Sequence, residues 1–78
     1  MIRTAHKATG ADALAAVVQS ARRHGGAAFP LPDGREGAAL RAAERMGWCV
    51  VFGKPGREAV TLTPDGRKAA QAYLGGGR

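Results

Sequence analysis

A chain of 78 residues has room for one domain, which buries only ~60% of the surface its unfolded form exposes, so the core is thin and a deep small-molecule cavity is not expected. Twelve Lys and Arg against six Asp and Glu leave a net charge of +6 and a pI near 10.8, an excess that attracts polyanions: nucleic acid first, acidic proteins or anionic lipid second. The single cysteine, Cys49, excludes an internal disulfide, and no apolar run approaches the ~20 residues of a membrane span, so a soluble, cytoplasmic protein is the expectation.

Residues 1–10 read as a basic N-terminal arm, extended or loosely ordered. Arg3, His6 and Lys7 are unbalanced by any acid there, and no apolar segment of the kind a signal peptide needs follows them. The domain proper spans residues 11–74. Within it, Ala11, Leu14, Val17, Val18 and Ala21 recur at three- and four-residue steps, which predicts a first helix over residues 12–24. Arg22, Arg23 and His24 suit the negative end of its dipole, and Gly25 with Gly26 ends it.

The next stretch, AAFPLP, is apolar and broken by proline, so it is at most a short third strand near Phe29 on a sheet edge. Asp33 and Glu36 have the spacing of a capping box, predicting a second helix over residues 34–46 closed by Gly47. Its apolar face is expected to hold Ala39, Leu40, Ala43 and Met46. Arg41 and Arg45, with Ala38, lie on another face, which Gly34 and Gly37 keep small enough to approach a groove closely.

Residues 48–52 and 59–63 are β-branched and apolar, and the turn formers of residues 53–58 join them, predicting an antiparallel hairpin with Lys54 and Arg57 at its tip. Thr63 as N-cap, Pro64 as the first helical residue and Asp65 in the first turn open a third helix through Leu74, with Ala69, Ala70, Tyr73 and Leu74 expected inward. Residues 75–78 read as a flexible Gly-rich tail. The expected core is completed by the four aromatics Phe29, Trp48, Phe52 and Tyr73 and by Val50, Val51, Val60 and Leu62. With the aromatics used in this way, none is left for stacking on single-stranded nucleic acid.

Catalytic chemistry finds no foothold. His6, His24 and Cys49 lack the spacing of a zinc site, Ser20 has no acid–His partner, Asp33 and Glu36 are placed as caps, and Gly53-Lys-Pro-Gly is not a phosphate-binding loop. The expectation is a protein that is not an enzyme and uses no cofactor or metal.

The segment ALRAAERMGWCVVFGKPGREAVTLTPDGRKAAQAYL resembles the C-terminal half of the winged helix-turn-helix domain of MarR-type and related bacterial regulators. In that family a recognition helix ends at Gly and an apolar residue, a two-stranded wing follows, and Leu-Thr-x-x-Gly-Arg caps the next helix. The resemblance implies an α+β, winged-helix-like domain of three helices and a two-stranded antiparallel hairpin. It implies further that Arg35, Arg41 and Arg45 reach bases or phosphates in a major groove, while Lys54 and Arg57 meet the flanking backbone. One part of the family pattern is missing. Residues 25–33, GGAAFPLPD, stand where the support helix belongs and contain two glycines and two prolines, which cannot form it. Two functions follow as expectations: a DNA-binding transcriptional regulator acting as a homodimer on double-stranded DNA, or an adaptor or inhibitor of a nucleic-acid machine, such as a phage anti-CRISPR protein, docking on an acidic protein surface.

Overall fold

The computed structural model describes residues 9–76. Three helices and three strands follow one another as α1 (Gly10–His24), β1 (Phe29–Pro30), α2 (Gly34–Arg45), β2 (Cys49–Phe52), β3 (Ala59–Leu62) and α3 (Pro64–Gly76), an α+β arrangement. Of the N-terminal arm, residues 1–8 lie outside the described residues, whereas Thr9 is the N-cap of α1 and Gly10 its first residue.

That helix starts earlier than its apolar periodicity suggests because Thr9 and Asp12 form a capping box. The Asp12 N–H donates to the Thr9 hydroxyl at 3.1 Å, and the Thr9 N–H donates to the Asp12 carboxylate at 3.0 Å. The buried face of α1 is also rotated from the expected one. Ala13, Ala16, Val17, Val18 and Ser20 are buried, Leu14 and Ala21 are half-buried, and Ala11 is exposed, since α1 packs against both α2 and α3 and needs a wider stripe.

The expected capping box of α2 does not form. Asp33 is the N-cap residue in extended conformation, but its side chain makes no capping bond, and Glu36 lies instead 3.9 Å from the Arg23 guanidinium of α1. Gly37 is not on an open face either: it is buried, and a Cβ there would collide with the Pro32 carbonyl oxygen. At the far end Gly47 takes φ 80°, the positive value that lets the chain leave the helix and enter β2.

The hairpin pairs Cys49 with Leu62, Val50 with Thr61, Val51 with Val60 and Phe52 with Ala59, and β1 adds to the other side of β3 through Phe29–Val60 and Pro30–Ala59. The sheet order is therefore β1-β3-β2, with β3 central and a proline tolerated only because β1 is an edge. The Leu31 N–H extends this pairing to the Glu58 carbonyl at 2.9 Å, and the His24 ring stacks on Phe29 at 4.2 Å between centroids.

Helices cover one face of the sheet. Cys49, Val60 and Leu62 point inward to Val17, Leu40 and a bed of alanines, while Val50 and Phe52 point out, 45% and 47% exposed. Four residues expected in the core are thus on the surface. Val50 and Phe52 fall on the outer phase of an alternating strand, and Tyr73 and Leu74 sit in a last turn of α3 that is largely uncovered. Met46 is likewise exposed, having become the C-cap of α2.

Thr63 secures the entry to α3 with one hydroxyl. It accepts from the Gly66 N–H at 3.0 Å and donates to the Gly47 carbonyl at 2.6 Å, so the helix cap is tied to the exit of α2. Gly66 is buried against Trp48, whose carbonyl oxygen would overlap any Cβ at that position. The Thr-Pro-Asp-Gly-Arg stretch is therefore fixed by packing as well as by capping. Beyond it, α3 continues to Gly76, past the start of the expected tail, and residues 77–78 lie outside the described residues.

Candidate nucleic-acid interface

The candidate surface is built from α2 and the hairpin. The turn at the tip is closed by the Arg57 N–H donating to the Lys54 carbonyl at 2.8 Å, with Pro55 and Gly56 between them and Gly56 at φ 83°, the residue pair a type II turn requires. This rigid turn holds Lys54 and Arg57 out into solvent.

Arg41 joins the helix to the hairpin. Its guanidinium donates to Glu58 at 3.0 Å, across seventeen residues of sequence, and lies 3.8 Å from Glu44 one turn along α2. Two carboxylates therefore already occupy the side chain expected to reach bases. The exchange for a DNA base or phosphate is less favourable than for an unpaired arginine, although each pair is half-exposed and contributes only about 0.2–1 kcal/mol.

Arg45 is one turn further on the same side of α2 and exposed. Arg35 is not part of this surface. It lies roughly 120° around the helix from Arg41, in the groove between α1 and α2 that Asp12, Ala15, Gln19 and Ala39 also line. Among the described residues, no carboxylate comes within 4.0 Å of Arg35, Arg45, Lys54 or Arg57. The structure thus gathers Arg41 with the hairpin, leaves Arg45, Lys54 and Arg57 with uncompensated charge, and sets Arg35 apart.

The role of Glu58 was not readable from the sequence, where it is one residue of the turn expected over 53–58. It follows β-strand phase: position 58 shares the inward side with Val60 and so faces α2 rather than solvent.

Cys49 offers no reactive thiol. Its side chain is buried and donates to the Leu40 carbonyl at 3.3 Å, and burial first, then the nearby Glu44 carboxylate, pushes its pKa up to about 11. Among the described residues no three His, Cys, Asp or Glu side chains gather as a metal site, and no helix is long and apolar enough to cross a membrane. No family model, curated protein or solved structure matches the chain.

Proposed function

We propose that this is a small, basic, non-enzymatic nucleic-acid-binding protein of the cytoplasm, a winged-helix DNA-binding transcriptional regulator that holds double-stranded DNA chiefly by its phosphates. The observation that carries this reading is the exposed trio Arg45, Lys54 and Arg57, free of carboxylates within 4.0 Å among the described residues, on a chain of net charge +6. Lys54 and Arg57 follow the backbone from the hairpin tip, and Arg45 meets it from the end of α2. Arg41, held by Glu44 and Glu58, orients the hairpin on the helix more than it reads a base. A footprint this small gains useful affinity when two copies bind as a homodimer on adjacent sites.

One observation favours a second reading. Between α1 and α2 the described chain supplies only β1 where a support helix would stand, and Arg41 is engaged, so the apparatus for base reading is incomplete. The same cations would then dock on an acidic protein surface, as an adaptor or an inhibitor of a nucleic-acid machine such as an anti-CRISPR protein.

Mobility shift of random-sequence duplex DNA separates the two. Binding at low salt that the Lys54→Ala, Arg57→Ala double variant abolishes supports the DNA reading. Absence of binding at low salt removes it and leaves the protein-docking one.

A further inference from the structure

An open cleft of about 320 Å³ lies between the C-terminal half of α1 and the segment that runs from β1 into α2. It contains none of Arg41, Arg45, Lys54 and Arg57. Its floor includes the buried Leu40 and Ser20, and His24, Pro30 and Pro32 give it walls of ring and apolar surface.

Ser20 is only 7% exposed, the one buried polar side chain among the described residues. A serine inside a helix commonly turns its hydroxyl back to the carbonyl four residues earlier. Among the described residues the Ser20 hydroxyl makes no such bond, nor any other hydrogen bond. A buried hydroxyl left without a partner is costly, and its place in the cleft lining points to a polar group of a ligand as that partner.

The rim carries one charge of each sign. Arg23 of α1 and Glu36 of α2 stand 3.9 Å apart, beyond hydrogen-bond length, with side chains 63% and 53% exposed. Each therefore keeps its hydrogen-bonding capacity for a third group. A singly charged ligand is attracted by one of them and repelled by the other, whereas a carboxylate and an ammonium on the same carbon answer both. The volume is at the lower end of the range for ligand sites, which suits a molecule of amino-acid size.

We propose that this cleft binds a free amino acid with an apolar side chain. The ammonium pairs with Glu36, the carboxylate takes Arg23 and the Ser20 hydroxyl, and the side chain lies over Leu40 between His24 and the prolines. The inference is independent of the DNA reading, since it uses none of the cations assigned to phosphate.

NMR and calorimetric titration of the full chain with L-phenylalanine should give saturable binding with a Kd of a few millimolar or tighter, shifting the resonances of Ser20, Arg23 and Glu36. Hydrocinnamate, which lacks the ammonium, phenethylamine, which lacks the carboxylate, and glycine, which lacks the side chain, should each bind about tenfold more weakly. Ser20→Ala should lower affinity for phenylalanine about tenfold while raising the Tm of the ligand-free chain, a combination that a purely structural serine would not give. Glu36→Gln should invert the preference, so that hydrocinnamate binds at least as tightly as phenylalanine. Absence of saturable binding, affinity unchanged by Ser20→Ala, or equal affinity for phenylalanine and its two singly charged analogues would each overturn the proposal.

Discussion

Thr63 carries two structural tasks on one oxygen, capping α3 through Gly66 and bonding the Gly47 carbonyl at the exit of α2. Thr63→Ser keeps both, and Thr63→Ala loses both, so chemical denaturation should show the alanine variant less stable by about 1–2 kcal/mol and the serine variant within about 0.5 kcal/mol of the parent. Gly66→Ala places a Cβ on the Trp48 carbonyl, a backbone atom that cannot rotate aside, and should destabilise by about 3 kcal/mol in the same measurement. Cys49 gives a pH signature. Its folded pKa of about 11 stands above the ordinary thiol value of 9.0, so the folded state holds the proton more tightly. The stability this contributes is whole below pH 9 and lost as pH rises through about 11. Alkylation of Cys49 at pH 8 should accordingly occur only on unfolding, with a rate that follows denaturant; rapid modification of the folded chain would contradict its burial.

Between elements, the contact that matters most for function is Arg41 with Glu58, because it fixes the hairpin against α2 and at the same time withdraws a cation from the surface. Glu58→Gln removes the nearer of the two carboxylates that hold that cation, leaving Glu44 at 3.8 Å, and takes away a repelling charge beside Arg57. Duplex affinity measured at low salt should rise severalfold, with a steeper salt dependence by about one counterion; an unchanged or weaker affinity would show that Arg41 does not face the DNA. Local features of the elements were legible in the sequence because their causes are local: Gly25 and Gly47 end helices, Pro55-Gly56 makes a turn, and Thr63-Pro64 starts α3. What was not legible depends on neighbours. Val50 and Phe52 cannot be told from Cys49 and Val51 when every residue of the strand is apolar, and only the pairing with β3 fixes which face is inward. Asp33 and Glu36 have the spacing of a box, yet Glu36 is turned to Arg23 of another helix. The ion pair of Arg41 spans seventeen residues and has no signal in periodicity.

For the molecule as a whole, composition pointed to a thin core, and the structure shows how that core is filled. Alanines fill much of the space under the sheet around Val17, Phe29, Leu40, Val60 and Leu62, while the bulky Phe52, Tyr73 and Leu74 are left on the outside. The candidate site was legible in part: the tip cations stand clear as expected, Arg45 with them, while Arg35 is carried to the α1 side by helix geometry and Arg41 is neutralised by contacts no local pattern reveals. Phosphate binding by Arg45, Lys54 and Arg57 is the central claim, and the salt dependence of duplex affinity tests it most directly. Three phosphate contacts predict a slope of log affinity against log salt of about −2.7 for each protomer bound, and about twice that for a homodimer, falling in magnitude by about one per protomer in Lys54→Ala whatever the DNA sequence. A flat salt dependence, or no binding at about 50 mM salt, would contradict it.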